Sequence, residues 1–125
     1  MTNGGERSRW ALSAGIAVTI VFASVVPLPG GGDASPVVPL GVDTWLHAAG
    51  YAALSVSMAR AHAAGRRSTL LSVVLAALTA TVFGVGIEIL QTAVPTRGFE
   101  LHDIGANAAG CLLGVTGWVW LRGRR

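Results

Sequence analysis

The chain has 125 residues, a length that accommodates one domain. Hydrophobic residues make up 52% of it and charged residues only 12%, about half the share that is usual in soluble domains. Its mean hydropathy is +0.60. A soluble chain of this size needs more polar surface than this composition supplies, so we predict an integral membrane protein.

The basic charge of the chain comes from nine arginines and no lysine. Because these arginines lie at the ends of apolar segments, we interpret them as membrane topology signals and expect no nucleic-acid partner. The single cysteine, Cys111, lies inside an apolar segment. It excludes an intramolecular disulfide and a cysteine-based metal motif, and we interpret it as a packing residue.

Residues 10–28 carry no charge and are predicted to form the first transmembrane helix, after a cytoplasmic tail at 1–9. Nineteen helical residues can cross about 30 Å of hydrocarbon. The alternative is a cleaved signal peptide, since arginines precede the run. The apolar run is long for a signal peptide, and no small-x-small cleavage site follows it at the right place, so we expect the helix to be retained.

Prolines and glycines at 29–43 predict an outer loop, at whose end Asp43 or Thr44 is a candidate N-cap for the next helix. Three more transmembrane helices are predicted, at 44–64, 69–94 and 103–121. The segments that flank them are a cytoplasmic turn at 65–68, an outer loop at 95–102 and a cytoplasmic tail at 122–125.

The arginines predict the orientation of these four helices. Eight of the nine fall on one side of the membrane, and only Arg97 falls on the other. By the positive-inside rule both termini should be cytoplasmic. Five of the six acidic residues lie on or near the outer side. We therefore predict an all-α integral membrane protein, a compact bundle of four transmembrane helices in the cell (plasma) membrane.

Polar residues recur at helical spacing near the outer ends of the last three predicted helices. The three polar stripes are Asp43, His47 and Tyr51; Glu88 and Gln91; and Asp103 and Asn107. Because all three ends face outward, we expect the stripes and Arg97 to converge on one binding pocket. An ionisable group costs about 2.5–3.5 kcal/mol at the bilayer centre and usually faces protein or water. The stripes therefore form a candidate site.

Each of these residues also has a structural interpretation. Asp43 and Asp103 fit N-caps, and Arg97 fits a surface ion pair worth about 0–1 kcal/mol. The histidine, tyrosine and amide side chains fit packing and interhelical hydrogen bonds, which contribute about 0.6 kcal/mol each. Glu88 fits a structural role least well, because it lies inside a predicted span and needs a partner such as Arg97 or His47.

The last predicted helix also carries a stripe of small residues. Gly110 and Gly114 are four residues apart, with Ala106 one turn earlier. This spacing is typical of close helix packing, so we assign the two glycines to packing rather than to ligand binding. Their partner is either another helix of the chain or a second copy in a homo-oligomer.

Four motifs, in this order, make the chain resemble the VanZ-like membrane proteins over residues 43–121. They are Asp43-x-x-x-His47-x-x-x-Tyr51, Glu88-x-x-Gln91, Pro95-x-Arg97 and Asp103-x-x-x-Asn107-x-x-Gly110-x-x-x-Gly114. In that family a lysine commonly follows the first aspartate and an aromatic residue follows the histidine. Here those positions hold Thr44 and Ala48, so the rim of the pocket lacks a cation and a ring.

The resemblance implies a small integral membrane protein that carries this polar motif. The family's best-known member confers low-level resistance to the antibiotic teicoplanin. That property is known at the level of the family, and the resemblance does not extend it to this chain.

Three functions are open, of which we favour a non-enzymatic accessory or binding protein of the cell envelope. Its pocket would hold an anionic or polar headgroup against Arg97 and helix N-termini, with membrane lipids as partners. The second is an intramembrane enzyme acting on a lipid-linked substrate. Glu88 or Asp103 would be its general base, His47 an acid or base, and Arg97 the anion stabiliser. The third is a structural assembly subunit that uses the glycine stripe.

We expect neither a cofactor nor a metal. The sequence has no HExxH motif, glycine-rich phosphate loop or nucleophile elbow. A metal-dependent enzyme would use Asp43, His47, Glu88 and Asp103, an oxygen-rich set that suits Mg²⁺ or Mn²⁺ better than Zn²⁺.

Overall fold

A computed structural model describes residues 4–26, 41–95 and 99–125, and over these residues the chain is all-α. The four helices are α1 (Gly4–Val25), α2 (Gly41–Ala64), α3 (Thr69–Gln91) and α4 (Leu101–Gly123). The predicted all-α class is confirmed. Most of the predicted outer loop at 29–43, together with Arg97, lies outside the described residues.

The helix ends differ from the apolar runs by a few residues. α1 begins at Gly4, ahead of the uncharged run at 10–28, because a helix can continue past its apolar part into water. α3 ends at Gln91, yet the backbone N–H groups of the next three residues donate to carbonyls three residues earlier, over 3.0–3.2 Å. These bonds form a 3₁₀-type turn, which extends the helical backbone to Val94.

The N-cap interpretation of two aspartates is wrong. α2 begins at Gly41, so Asp43 and Thr44 lie inside its first turn. Asp103 likewise lies inside the first turn of α4, whose N-cap is Glu100 with no side-chain capping bond. Neither aspartate therefore occupies the N-cap position of its helix, and a negative charge in the first turn interacts favourably with the helix dipole.

Three of the described helices, α1, α3 and α4, are long and apolar enough to cross a membrane. α2 is not among them. It is the central helix, which packs against all three others and most extensively against α4. Its polar residues therefore face protein, which explains why its sequence is less apolar than that of its neighbours.

The surface is apolar and the interior is comparatively polar. Large hydrophobic side chains stand exposed along one face of α3, at Leu70, Val74, Leu78, Val82 and Ile89. Among the residues that the structure describes, ten polar or charged ones are buried instead. A soluble monomer rarely exposes so large a contiguous apolar area, so this distribution indicates a membrane protein whose outer surface contacts hydrocarbon.

The two ends of the bundle differ in charge. At one end α1 begins and α2 and α4 finish, and Arg9 there donates to the carbonyl of Arg60 over 3.4 Å. Every arginine that the structure describes lies at this end. These are Arg7, Arg9, Arg60, Arg66, Arg67, Arg122, Arg124 and Arg125. At the opposite end α2 and α4 begin and α1 and α3 finish. We call this the acidic end, because Asp43, Glu88 and Asp103 lie there.

α2 and α4 approach closely where Gly110 and Gly114 meet α2 of the same chain. A Cβ at Gly110 would collide with the backbone carbonyl of Ala48, and one at Gly114 would lie 2.6 Å from the carbonyl oxygen of Ala52. Ser55 of α2 donates to the carbonyl of Cys111 over 3.2 Å, across the same contact. The glycine face is therefore covered by α2, and a second copy could reach it only by displacing that helix.

Gly110→Ala should destabilise the protein by about 1–3 kcal/mol, because the new methyl group would overlap a backbone carbonyl that cannot rotate away. Gly117→Ala is the matched control on the same helix, with no atom within 4 Å of its added Cβ. It should be neutral or stabilising by up to about 1 kcal/mol through helix propensity. Thermal unfolding in detergent measures both, and equal effects would contradict the packing assignment.

Candidate functional site

The acidic end of the bundle gathers the predicted polar residues in one place. The buried ones are His47, Tyr51, Glu88, Gln91, Asp103 and Asn107. Asp43 is half-buried beside them. The structure thus brings seven of the eight predicted binding residues to one end. The eighth, Arg97, lies outside the described residues.

His47 is the centre of the cluster and links α2 to α4. Its Nδ1 atom donates to the amide oxygen of Asn107 over 3.0 Å. Its other nitrogen, Nε2, faces two carboxylates, with Asp103 Oδ2 at 3.7 Å and Asp43 Oδ1 at 4.0 Å. The ring is buried, so its orientation is held by contacts from both helices.

Two further residues fix the positions of these side chains. Thr44 donates to Asp103 Oδ1 over 3.4 Å, from the position where VanZ-like proteins commonly have a lysine. Tyr51 stacks on His47, with the two rings 6.4 Å apart and 11° from parallel. The tyrosine hydroxyl is buried and has no hydrogen-bond partner among the described residues.

Glu88 brings α3 into the cluster. A Cβ at Gly84, one turn earlier on α3, would lie 3.1 Å from the Tyr51 ring and 3.3 Å from the amide nitrogen of Asn107. The same face one turn further on carries Glu88, beside His47 and Asp103, with which its carboxyl group interacts electrostatically. Its side chain is fully buried, and the backbone N–H of Glu100 approaches its carboxyl group without forming a hydrogen bond of full geometry.

Gln91 lies to one side and joins α3 to α1. Its amide donates to the carbonyl of Ser24 over 3.3 Å, while its amide oxygen has no described partner. Ser24 also lines a small cavity of about 50 Å³ between α1 and α2, which reaches Asp43, His47 and Tyr51. That volume holds one or two water molecules at about 30 Å³ each, so the described part of the cavity suits a small ion or water.

The sequence reasoning missed three residues that shape the site. The sequence offers Thr44 as a candidate cap and as a position of the pocket rim, but it does not predict the hydrogen bond to Asp103. Gly84 lies one helical turn from Glu88, which was also readable as a shared face. Ser24 gave no signal, because its backbone carbonyl rather than its side chain bonds Gln91.

The chemistry of the cluster is that of carboxylates around one imidazole. Oxygen and nitrogen atoms of Asp43, His47 and Asp103 all lie within 4.8 Å of one another. Such a group can accept a cation, hold a proton or bind an amine. Four described carboxylates, the buried or half-buried Asp43, Glu88 and Asp103 and the exposed Glu100, and no described arginine lie at this end, so an anion would meet repulsion from the described residues.

Comparison with known proteins assigns the chain to no family. No family model, no curated protein and no solved structure matches the chain.

Glu88→Gln should raise the stability of the metal-free protein by about 1 kcal/mol, because it removes a fully buried acid beside the Asp103 carboxylate and keeps its shape. Thermal unfolding in detergent with EDTA measures the change. Glu100→Gln makes the same substitution at an exposed position of the same end and should stay within about 0.5 kcal/mol. A loss of stability in Glu88→Gln would mean that a charged partner holds the carboxylate.

Proposed function

We propose that the protein is a four-span integral membrane protein of the cell envelope that binds a polar headgroup without catalysing a reaction. Both termini lie in the cytoplasm, and the acidic end faces outward in this proposal. The headgroup binds at the outer end, where α2, α3 and α4 place their buried polar residues. Arg97, in the adjoining loop, would supply a cationic donor for an anionic group.

The observation that carries this proposal is a set of buried polar atoms without hydrogen-bond partners among the described residues. They are the Tyr51 hydroxyl, both carboxylate oxygens of Glu88, the Gln91 amide oxygen and the Asn107 amide nitrogen. A buried polar atom that is left unpaired costs about 1–3 kcal/mol. A cluster of such atoms at one end of a lipid-facing bundle is better explained by a ligand or bound water than by packing.

The motif resemblance supports the same proposal at the level of the family. It would make this chain a VanZ-like protein in which Thr44 replaces the common lysine. In the structure Thr44 donates to Asp103, where a lysine would carry a charge instead. A ligand preference different from that of lysine-containing relatives follows from this exchange.

The charge difference between the two ends supports the proposed topology, because arginines accumulate on the cytoplasmic side. α2 completes the fourth crossing, since it runs the length of the bundle between the three apolar helices. Its polar face needs no lipid contact in that position.

Labelling of single cysteines in intact cells tests this topology. In a Cys111→Ala background, Ser35→Cys should react with a membrane-impermeant maleimide added from outside. Ser8→Cys, at the arginine-rich end, should react only after the membrane is permeabilised. The reverse pattern would contradict the assignment of the termini to the cytoplasm.

Headgroup binding predicts that a lipid stays with the purified protein, which native mass spectrometry detects. Arg97→Ala and Glu88→Gln should lose this lipid by at least about tenfold, because each removes a charged contact worth 1.4 kcal/mol or more. Arg60→Ala is the matched control, an arginine at the opposite end, and should retain the lipid.

Folded yield in detergent separates a site from a structural role. Loss of lipid at unchanged monodisperse yield supports binding. If the yield of Glu88→Gln and Arg97→Ala falls in parallel with the lipid, the residues are structural and the proposed binding site is contradicted. Full retention of lipid at full yield would contradict the proposed binding site.

A further inference from the structure

Three potential metal ligands converge at the acidic end from two helices. Asp43 and His47 are one turn apart on α2, and Asp103 comes from the first turn of α4. Their ligand atoms lie within 4.8 Å of one another. Two ligand atoms of one Mg²⁺ at about 2.1 Å lie about 3.0 Å apart when adjacent and about 4.2 Å apart when opposite, so the three side chains would have to close in on the ion by about 0.5–1 Å.

The histidine is oriented as a metal-ligating histidine usually is. An amide oxygen only accepts, so Nδ1 of His47 carries the hydrogen that it donates to Asn107. In the neutral ring Nε2 then has its lone pair directed at the two aspartates. Its distances to them, 3.7 and 4.0 Å, are too long for direct hydrogen bonds. A hydrogen bond at the far nitrogen is the outer-shell contact that positions histidine ligands.

Glu88 provides a second, independent observation. Its side chain is fully buried, on the α3 face that contacts Tyr51 and Asn107, and the backbone N–H of Glu100 is the donor that approaches its carboxyl group, although no hydrogen bond of full geometry forms. It interacts electrostatically with Asp103 and His47. Three carboxylates so close together repel one another, and a cation between them removes that repulsion.

We propose that Asp43, His47, Asp103 and Glu88 bind one divalent cation of the Mg²⁺ or Mn²⁺ type at the acidic end. This replaces the expectation from the sequence that no metal is bound. Carboxylate oxygens are the ligands that these hard cations prefer, and Mn²⁺ also accepts an imidazole. Thr44 and Asn107 hold the ligands in place from outside, through Asp103 and His47 respectively.

A bound cation also changes which headgroup the site accepts, and this consequence rests on the proposed function. Without it, the described residues present carboxylates that repel a phosphate. With it, the site offers a positive charge to a phosphate oxygen, in the manner of Mg²⁺ sites that use one or two carboxylates and substrate phosphates. The lipid headgroup should therefore be a phosphate ester that the cation bridges to the protein.

Mn²⁺ alone is the probe for the cation site. In titrations of EDTA-stripped, dialysed protein in detergent, the electron paramagnetic resonance signal of free Mn²⁺ should fall with a stoichiometry of one ion per chain. Excess Mg²⁺ should restore the signal by competition. Absence of saturable binding up to millimolar Mn²⁺ would overturn the proposal.

The ligands are tested by isosteric variants. Asp103→Asn and Glu88→Gln should each weaken Mn²⁺ binding by at least about tenfold, as loss of a supporting contact alone commonly does. Glu100→Gln removes one exposed charge at the same end and should change affinity less than twofold. Equal weakening in all three variants would mean only general attraction to an acidic surface, and would overturn the site.

Thermal unfolding gives a second readout that does not depend on the yield of any variant. Mn²⁺ should raise the melting temperature of the wild-type protein, because it binds the folded state. At an Mn²⁺ concentration near the wild-type Kd, the rise should be several-fold smaller in Glu88→Gln. A rise of equal size in that variant would exclude Glu88 from the site.

The lipid consequence has its own measurement, so that the two proposals fail separately. EDTA should release a phosphate-headgroup lipid from the purified protein, as seen by native mass spectrometry, and Mn²⁺ should restore it. If the protein keeps its lipid in EDTA and still binds Mn²⁺ when EDTA is removed, the bridging role alone is overturned. A lipid retained by a protein that binds no Mn²⁺ would overturn the cation site and leave headgroup binding intact.

Discussion

The close contact between α2 and α4 is the constraint on which the rest of the structure depends. Gly110 and Gly114 let the backbones approach until carbonyl groups of α2 occupy the space of missing side chains. In an apolar solvent, helices associate through such packing and through interhelical hydrogen bonds, because burying apolar surface gives little advantage. This contact sets α2 beside α4 at the separation that lets His47 reach Asn107 and Asp103.

A bundle organised around one central helix explains why polarity is turned inward. α2 is covered on three sides, so its histidine, serines and tyrosine are shielded from lipid. The outer helices keep large apolar side chains toward the surroundings. Ser13 of α1 bonds Ser57 of α2 over 3.0 Å, and Ser55 bonds the α4 backbone, so small hydroxyls join the helices where large side chains would not fit.

Burial of the polar cluster lowers the free energy of unfolding of the bundle. Its carboxylates are buried near one another, and several polar atoms lack described partners. Strain of this kind persists in proteins mainly at sites that bind or react. The close contact between α2 and α4 at Gly110 and Gly114 holds the two helices together one to two turns from the cluster. Gly110 lies on the turn of α4 that follows Asn107.

The sequence by itself determined the all-α class and seven of the eight polar residues that lie at the acidic end, while Arg97 stays a prediction. Hydropathy marked four apolar segments, and helical spacing placed Asp43, His47 and Tyr51 on one stripe, because periodicity is a local property of the chain. Only the tertiary structure decided which helices pack together, with α2 at the centre. It also decided that the Gln91 amide donates to the Ser24 carbonyl of α1. It also showed Asp43 inside a helix instead of capping it. Distances between helices depend on how side chains interlock across them, and no spacing within one segment contains that information.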